Sequence, residues 1–248
     1  MASYRYLRDI KPEDLAPDEA REYSKKEKAA NWWHYHWKTV AVAALCVLLA
    51  ASLLRDVIFR EPEPDYTLTF VNPTGVPDAV CTAVQAALTP YADDRNGDGR
   101  VVLAVQSYTL AFGAADQQDD GTDPYLQMAG ATQLSADFET CETQIFLLYD
   151  PAGFEQYTQG LLYVDGSMPP WDENTDPTLL DWENMVFRWA DCPVLAGLNI
   201  ECELGIDCQQ YLADYSIGRR GAWTDAAAQA LAGSEVLWQA LTAGAQAP

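Results

Sequence analysis

Residues 39–54, Thr-Val-Ala-Val-Ala-Ala-Leu-Cys-Val-Leu-Leu-Ala-Ala-Ser-Leu-Leu, form a continuous uncharged run between Lys38 and Arg55. At about 1.5 Å per helical residue it spans roughly 24 Å, slightly less than the ~30 Å hydrocarbon core of a bilayer. Trp32, Trp33, Tyr35 and Trp37 precede it and Val57, Ile58 and Phe59 follow it. Such rings settle at headgroup level, and Lys38 and Arg55 can snorkel to the two interfaces, so the effective span lengthens. The pattern predicts a transmembrane anchor over residues 39–59 in contact with the lipid bilayer. A cleaved signal peptide and a buried core helix are the competing readings; the long polar lead before the run argues against the first.

Residues 1–38 read as a basic helical stub, with Asp14 or Asp18 as a cap for a polar helix to about Ala30 and Glu22 with Lys26 as a favourable i,i+4 pair. Such a helix lies against anionic lipid or docks a cytoplasmic partner. Arg21, Lys25, Lys26, Lys28 and Lys38 flank the run on its N-terminal side, against Arg55 and Arg60 beyond it. Positive-inside asymmetry therefore places the N-terminus in the cytoplasm and the C-terminal domain outside the cell membrane of a bacterial type of cell. Residues 60–65, with Glu61-Pro-Glu-Pro-Asp65, are a stiff extended linker, because each proline fixes φ and disfavours helix in the residue before it.

From residue 66 the pattern changes to short apolar runs separated by turn residues. Residues 66–71 predict a strand ended by Asn72-Pro-Thr-Gly75, and Asp78 a helix cap before Val80, Val84, Ala87 and Leu88 at helical spacing. Residues 100–107 predict a strand covered on both faces. Residues 109–121 read as a loop, and Asp123-Pro124 opens a helix with Met128, Ala131, Leu134 and Phe138 on one side. Residues 144–149 form a third strand, followed at once by a helix capped by Asp150. Strands alternating with helices predict a single α/β domain over 66–248 with a mostly parallel sheet. Further on, 180–189 and 224–242 look helical, and 193–200 and 211–217 read as strands.

Residues 66–165 resemble the N-terminal lobe of extracellular solute-binding proteins, the sugar-type binding components of ABC transporters. The resemblance rests on the strand 66–71, the strand 101–105, the helix 125–140 with Met128-Ala-Gly-Ala131 near its start, the strand 145–150, and Gly160-Leu-Leu-Tyr-Val-Asp165. It implies an α/β lobe fold and an extracytoplasmic binding role. Family members carry two lobes, and residues 166–248 are too few for a second, so the resemblance implies one lobe and not a complete ligand cleft.

Charge sharpens the division. The chain carries 15 Lys+Arg against 37 Asp+Glu, net -22. Its first 60 residues are close to neutral, and its last lysine and histidine are Lys38 and His36, so the acid excess falls almost wholly on the α/β domain. A nucleic-acid partner is excluded, since phosphate binding needs a basic stripe.

Asp94-Arg-Asn-Gly-Asp-Gly99 matches the opening of a calcium loop. Asp94, Asn96 and Asp98 would offer side-chain oxygens and Arg100 its carbonyl, while Val105 stands where an EF-hand has its bidentate Glu. Calcium bound there and a plain Asx/Gly turn are both compatible with the sequence. Cys81, Cys141, Cys192, Cys202 and Cys208 follow the anchor. Outside the cell they permit disulfides, with one local bridge among the last three and the pairing open. The lack of histidine after His36 argues against zinc and against a cysteine nucleophile with its usual base. Arg219-Arg220, the only basic pair of the domain, either neutralises internal carboxylates or holds an anion or partner.

Together these features predict a single-pass, membrane-anchored, extracytoplasmic binding or assembly protein without catalytic activity, meeting an unidentified protein partner or a small extracellular ligand. The alternative is a tethered carbohydrate-active hydrolase using two carboxylates, with Trp171, Trp182, Trp189, Trp223 and Trp238 available to stack on sugar rings.

Overall fold

The computed structural model describes residues 23–58, 62–113, 123–170, 181–202, 205 and 207–246. The chain divides into two compact units, Met1–Glu61 and Pro62–Pro248.

In the first unit a single helix, α1 (Lys25–Ile58), carries the apolar run. Its start is a reciprocal cap: the Glu27 N–H donates to Ser24 Oγ at 3.3 Å and the Ser24 N–H to Glu27 Oε2 at 2.9 Å. The polar helix and the anchor expected as separate pieces are thus continuous, and the cap is Ser24. The expected caps Asp14 and Asp18, and Glu22 of the expected pair, lie outside the described residues. Residues 25–55 have a mean hydropathy of 2.0 in their most apolar window, with none of that window buried. By length and composition α1 can cross a membrane.

The second unit is built on a five-stranded sheet of order β2-β1-β3-β5-β4. β1 (Tyr66–Asn72) lies between β2 (Leu103–Thr109) and β3 (Ile145–Leu148), parallel to both, with Tyr66 opposite Leu103 and Leu68 opposite Ile145. β5 (Ser216–Arg219) runs antiparallel to β3, and β4 (Val186–Arg188) antiparallel to β5. β1 alternates apolar and polar residues from Tyr66 to Phe70, yet every residue of the strand is buried. The reason is topological. The step from β1 to β2 moves one way along the sheet and the step from β2 to β3 moves back across it. Right-handed crossovers therefore put α2 (Asp78–Leu88) and α3 (Pro124–Thr140) on opposite faces.

The two cores show this separation. Tyr66, Leu68, Phe70, Leu103, Ile145, Leu147 and Ile217 pack with Val80, Val84 and Leu88 of α2, and with side chains of α5 (Pro193–Ala196), α6 (Cys208–Leu212) and α8 (Glu235–Leu241). Val71, Tyr108, Phe146 and Leu148 pack on the other face with Leu134 of α3 and Phe154 of α4 (Pro151–Thr158).

The second face also holds a buried polar cluster. Arg220 Nη1 donates to Asp137 Oδ1 at 2.9 Å with both side chains almost fully buried. Thr143 N–H and Tyr108 OH donate to the same carboxylate, and Arg220 Nη2 donates to the Phe138 carbonyl at 2.8 Å. Both Asp137 carboxylate oxygens thus accept hydrogen bonds inside the fold, while Arg220 Nε is buried without a partner among the described residues.

Several sequence expectations change. Asp78 is the first residue of α2 and Pro77 occupies the cap. β2 is an edge strand, only partly covered along residues 104–107, where a strand buried on both faces was expected. Gln127, Gly130, Leu134 and Asp137 form the buried stripe of α3 and Met128 is exposed, because the polar cluster and a close backbone approach claim that side. Of the expected helix 180–189, residue 180 lies outside the described residues and the rest holds a 3₁₀ turn, Trp182–Met185, followed by β4, since pairing with β5 overrides local helical spacing. Residues 193–200 begin with the one-turn helix α5, opened by Pro193. Residues 211–217 contain the end of α6 and only the start of β5. Residues 224–242 split into α7 (Asp225–Ala230) and α8 around Gly233, whose φ of 82° breaks the helix.

Candidate functional site

Parallel strands expose their carboxyl ends together, and the step where crossovers change face leaves a crevice there, the usual ligand position in open α/β sheets. Here that rim is formed by residues after β1, β2 and β3. Asn72 ends β1, its Oδ1 accepts from the Thr74 N–H at 2.8 Å, and its amide donates to Tyr215 OH. The Tyr215 and Tyr211 hydroxyls are 3.0 Å apart, and the Tyr149 ring lies edge-on to Tyr215 at 5.9 Å. Burial and the Tyr211 contact push the Tyr215 phenol well above its ordinary range, so it stays neutral.

Gln127 of α3 ties the rim together. Its Oε1 accepts from the Ala111 N–H at 2.6 Å and its Nε2 donates to the Pro73 carbonyl at 2.9 Å, joining the loops after β2 and β1. Beside them is a recess of about 580 Å³ lined in part by Phe112, Asp150, Gly153, Gln156 and Tyr157. Asp150 Oδ1 accepts from the Gly153 N–H at 3.0 Å and caps α4. A Cβ on Gly153 would strike both Asp150 and Phe112, so only glycine lets the helix start this close to the β2 loop. Phe112 meets Phe154 edge-on at 5.8 Å and Tyr157 at 5.6 Å. One wall is therefore aromatic and the other carries a carboxylate and an amide. An uncharged polar ligand with an apolar face fits this chemistry; an anion does not, because Asp150 already occupies the helix N-terminus.

A second recess, about 370 Å³, is lined by Trp182, Glu183, Asp191 and Ser216 among others. Asp191 is paired with Arg188 at 2.7 Å, and both Glu183 and Asp191 are exposed.

The sequence-predicted sites are dispersed. In the 94–100 loop, Asp94 accepts from the N–H groups of Gly97, Asp98 and Gly99, and Asn96 and Asp98 accept from Asp98 and Arg100 respectively. The Asn96 N–H donates to Asp65 Oδ1 at 2.9 Å, anchoring the loop to a buried carboxylate. Among the described residues no three His, Cys, Asp or Glu side chains converge as metal ligands.

Arg220 faces inward to Asp137 and stacks on Phe138 at 4.4 Å, so it serves the core and is not a surface contact for an anion or partner. Arg219 is half-buried over Trp238 at 5.8 Å. Burial lowers its pKa while Glu235 and Asp165 act in the opposite direction. Trp32, Trp33, Tyr35 and Trp37 are exposed along α1 together with Lys38 and Arg55. Cys202 and Cys208 form a disulfide, while Cys81, Cys141 and Cys192 are free. Burial raises the Cys81 and Cys192 thiols to about 11, so neither is a ready nucleophile.

Glu155 carried no sequence signal. It is buried on α4, Oε2 accepts from Gly160 and Leu161 N–H groups at 3.2 and 3.1 Å, and Oε1 meets no partner. Desolvation pushes its pKa up to about 7 against the pull of those two hydrogen bonds. The rim residues Asn72, Phe112, Tyr149, Tyr157 and Tyr215 were also not singled out as functional; their positions just past strand ends were the available cue.

No family model, curated protein or solved structure matches the chain.

Proposed function

We propose that this protein is a single-pass, N-in membrane protein that presents a non-catalytic α/β binding module outside the cell membrane. The observation that carries it is α1, an apolar helix that buries none of its most hydrophobic window, followed in sequence by a separate compact unit. The basic residues Lys25, Lys26, Lys28 and Lys38 before the apolar run support the orientation. The βαβαβ order from β1 through β3 supports kinship with one lobe of a sugar-type solute-binding protein, and the Phe112–Tyr157 recess is where such a module would take a small polyhydroxylated ligand.

The test is topology. A phosphatase that works only outside the cytoplasm, fused after Pro248, is expected to be active. A fusion active only as a cytoplasmic reporter sinks the reading. For the ligand, Tyr157→Ala is expected to abolish retention on a carbohydrate array that the unaltered chain shows. Equal retention by both would remove the recess from the proposal.

The hydrolase reading has one observation in its favour, the recess that joins Trp182 to Glu183 and Asp191. A general acid holds its proton near neutral pH through burial, and both carboxylates are exposed. The binding reading is therefore preferred.

A further inference from the structure

β2 is the outer strand of the sheet and, among the described residues, pairs only with β1. The register decides which of its backbone groups are free. The Leu110 N–H donates to the Asn72 carbonyl and the Val102 carbonyl accepts from Asp65 and Tyr66. In a parallel pair successive residues alternate between the two sides, so even-numbered residues of β2 bond to β1 and odd-numbered ones aim N–H and C=O outward. At the ends this outward row is covered: Leu103 is buried, and a Cβ on Gly130 of α3 would collide with the Thr109 carbonyl. Residues 104–107 are partly exposed, which leaves Val105 and Ser107 presenting unpaired backbone groups among the described residues.

Natural sheets protect such an edge with lysine, proline, a bulge or an inward charge. This one has none of these. Residues 101–113, Val-Val-Leu-Ala-Val-Gln-Ser-Tyr-Thr-Leu-Ala-Phe-Gly, contain no Asp, Glu, Lys, Arg or Pro in a chain of net charge -22. Beside the strand, α2 and β2 enclose a groove of about 540 Å³ lined by Val105, Ser107, Thr82, Gln85 and Cys81, with Asp78 the one acidic or basic residue in its lining among the described residues.

We infer that this edge pairs with a second copy of the same chain, β2 against β2 in antiparallel register about a two-fold axis at Gln106. Val105 then lies opposite Ser107 of the second copy, and each of the two symmetric pairs exchanges both N–H···O=C bonds. The same register sets Arg100 opposite Phe112 and brings no charged residue between 101 and 111 against another.

Charge selects the occupant. Two strongly acidic domains repel one another wherever carboxylates face carboxylates, and the β2 edge, with no charged residue over 101–113, brings none of its own to such a contact. A foreign cationic strand would find no carboxylate on β2 to pair with. The self-pairing makes one sheet of two, with an isologous interface of the commonest symmetry. This deepens the assembly side of the proposed function by naming the partner, and it holds whichever side of the membrane the domain occupies.

The full chain in detergent micelles tests it through its protein mass, by light scattering with the micelle contribution removed. A dimer is expected. Val105→Pro deletes only an outward N–H, leaves the β1 hydrogen bonds in place, and is expected to halve the mass while near-UV circular dichroism is unchanged. Gln106→Cys places two thiols across the axis in a non-hydrogen-bonded pair, with Cα atoms about 4.5 Å apart, within disulfide reach. Oxidation is expected to yield a reducible species of twice the chain mass that the unaltered chain, with its own cysteines, does not form.

A monomeric unaltered chain overturns the inference. So does a folded Val105→Pro chain that stays dimeric, which would assign the contact to α1 or another surface. If Val105→Pro does not fold, the Gln106→Cys crosslink decides, and its failure refutes the pairing. None of these results depends on the topology reporter, so the two proposals fail separately.

Discussion

Replacing Glu155 with Gln probes a buried carboxyl whose Oε1 has no partner. Burial moves its pKa from 4.5 to about 7. Between those values the folded chain holds a proton that the unfolded chain has released. Folding stability from this group is therefore fully present below about pH 4.5, falls as pH rises, and is lost above about pH 7. At 1.36 kcal/mol per pH unit the loss is about 3 kcal/mol.

Glu155→Gln keeps an oxygen for the Gly160 and Leu161 N–H groups and removes the ionisation. It leaves an amide nitrogen unpaired instead, at a cost of about 1–3 kcal/mol that does not vary with pH. The diagnostic is thus the difference between the two proteins followed across pH, in which the titration of the other acids cancels. Thermal melts of the full chain in detergent, read by near-UV circular dichroism at pH 5 and pH 8, are expected to show the variant gaining about 2–3 kcal/mol on the parent. For a domain of this size that is roughly 4–12 °C. Parallel melting curves over the whole range would refute the reasoning, because they would mean that Glu155 is solvated or paired.

Arg220→Met is expected to cost about 3–5 kcal/mol in urea unfolding by stranding the buried Asp137 carboxylate; Arg220→Met with Asp137→Leu should recover part of that loss, and a single variant of parental stability would contradict the cluster. Gly130→Ala pushes a methyl group onto the Thr109 carbonyl, and a melting shift equivalent to about 1–3 kcal/mol is expected; no shift would mean that α3 and β2 are less closely packed. Reduction of Cys202–Cys208 should lower stability by about 2 kcal/mol, the loop-closure value for so short a ring, with equal melts in oxidant and reductant the contrary result. Asp94→Ala removes the acceptor for three loop N–H groups and is expected to cost about 1 kcal/mol, equally in chelator and in millimolar calcium. A calcium-dependent rise confined to the unaltered chain would show instead that the loop rearranges around the cation.

Local patterning was enough for much of the architecture. The apolar run that becomes the middle of α1 is visible without any structure, because length and lack of charge are both local properties. The strands at 66–71 and 144–149, and the helices after Asp123 and Asp150, follow from apolar spacing and capping chemistry confined to a few residues. The site was less legible: Asp94-Arg-Asn-Gly-Asp-Gly99 stood out because its motif is contiguous, whereas the rim of Asn72, Phe112, Asp150, Tyr157 and Tyr215 is drawn from separate segments. The later third failed where pairing outweighed propensity, as when residues 186–188 joined β5.

The sequence by itself determined an apolar helix, an acidic α/β unit and the alternation of its first strands and helices, since each depends on period, length or composition. Only the tertiary structure decided that Arg220 belongs to Asp137, that Glu155 is buried with one oxygen unpaired, and that β2 is the edge with Val105 and Ser107 facing outward. Burial, partner identity and strand order arise when residues far apart in the chain share one surface, and no local window contains them.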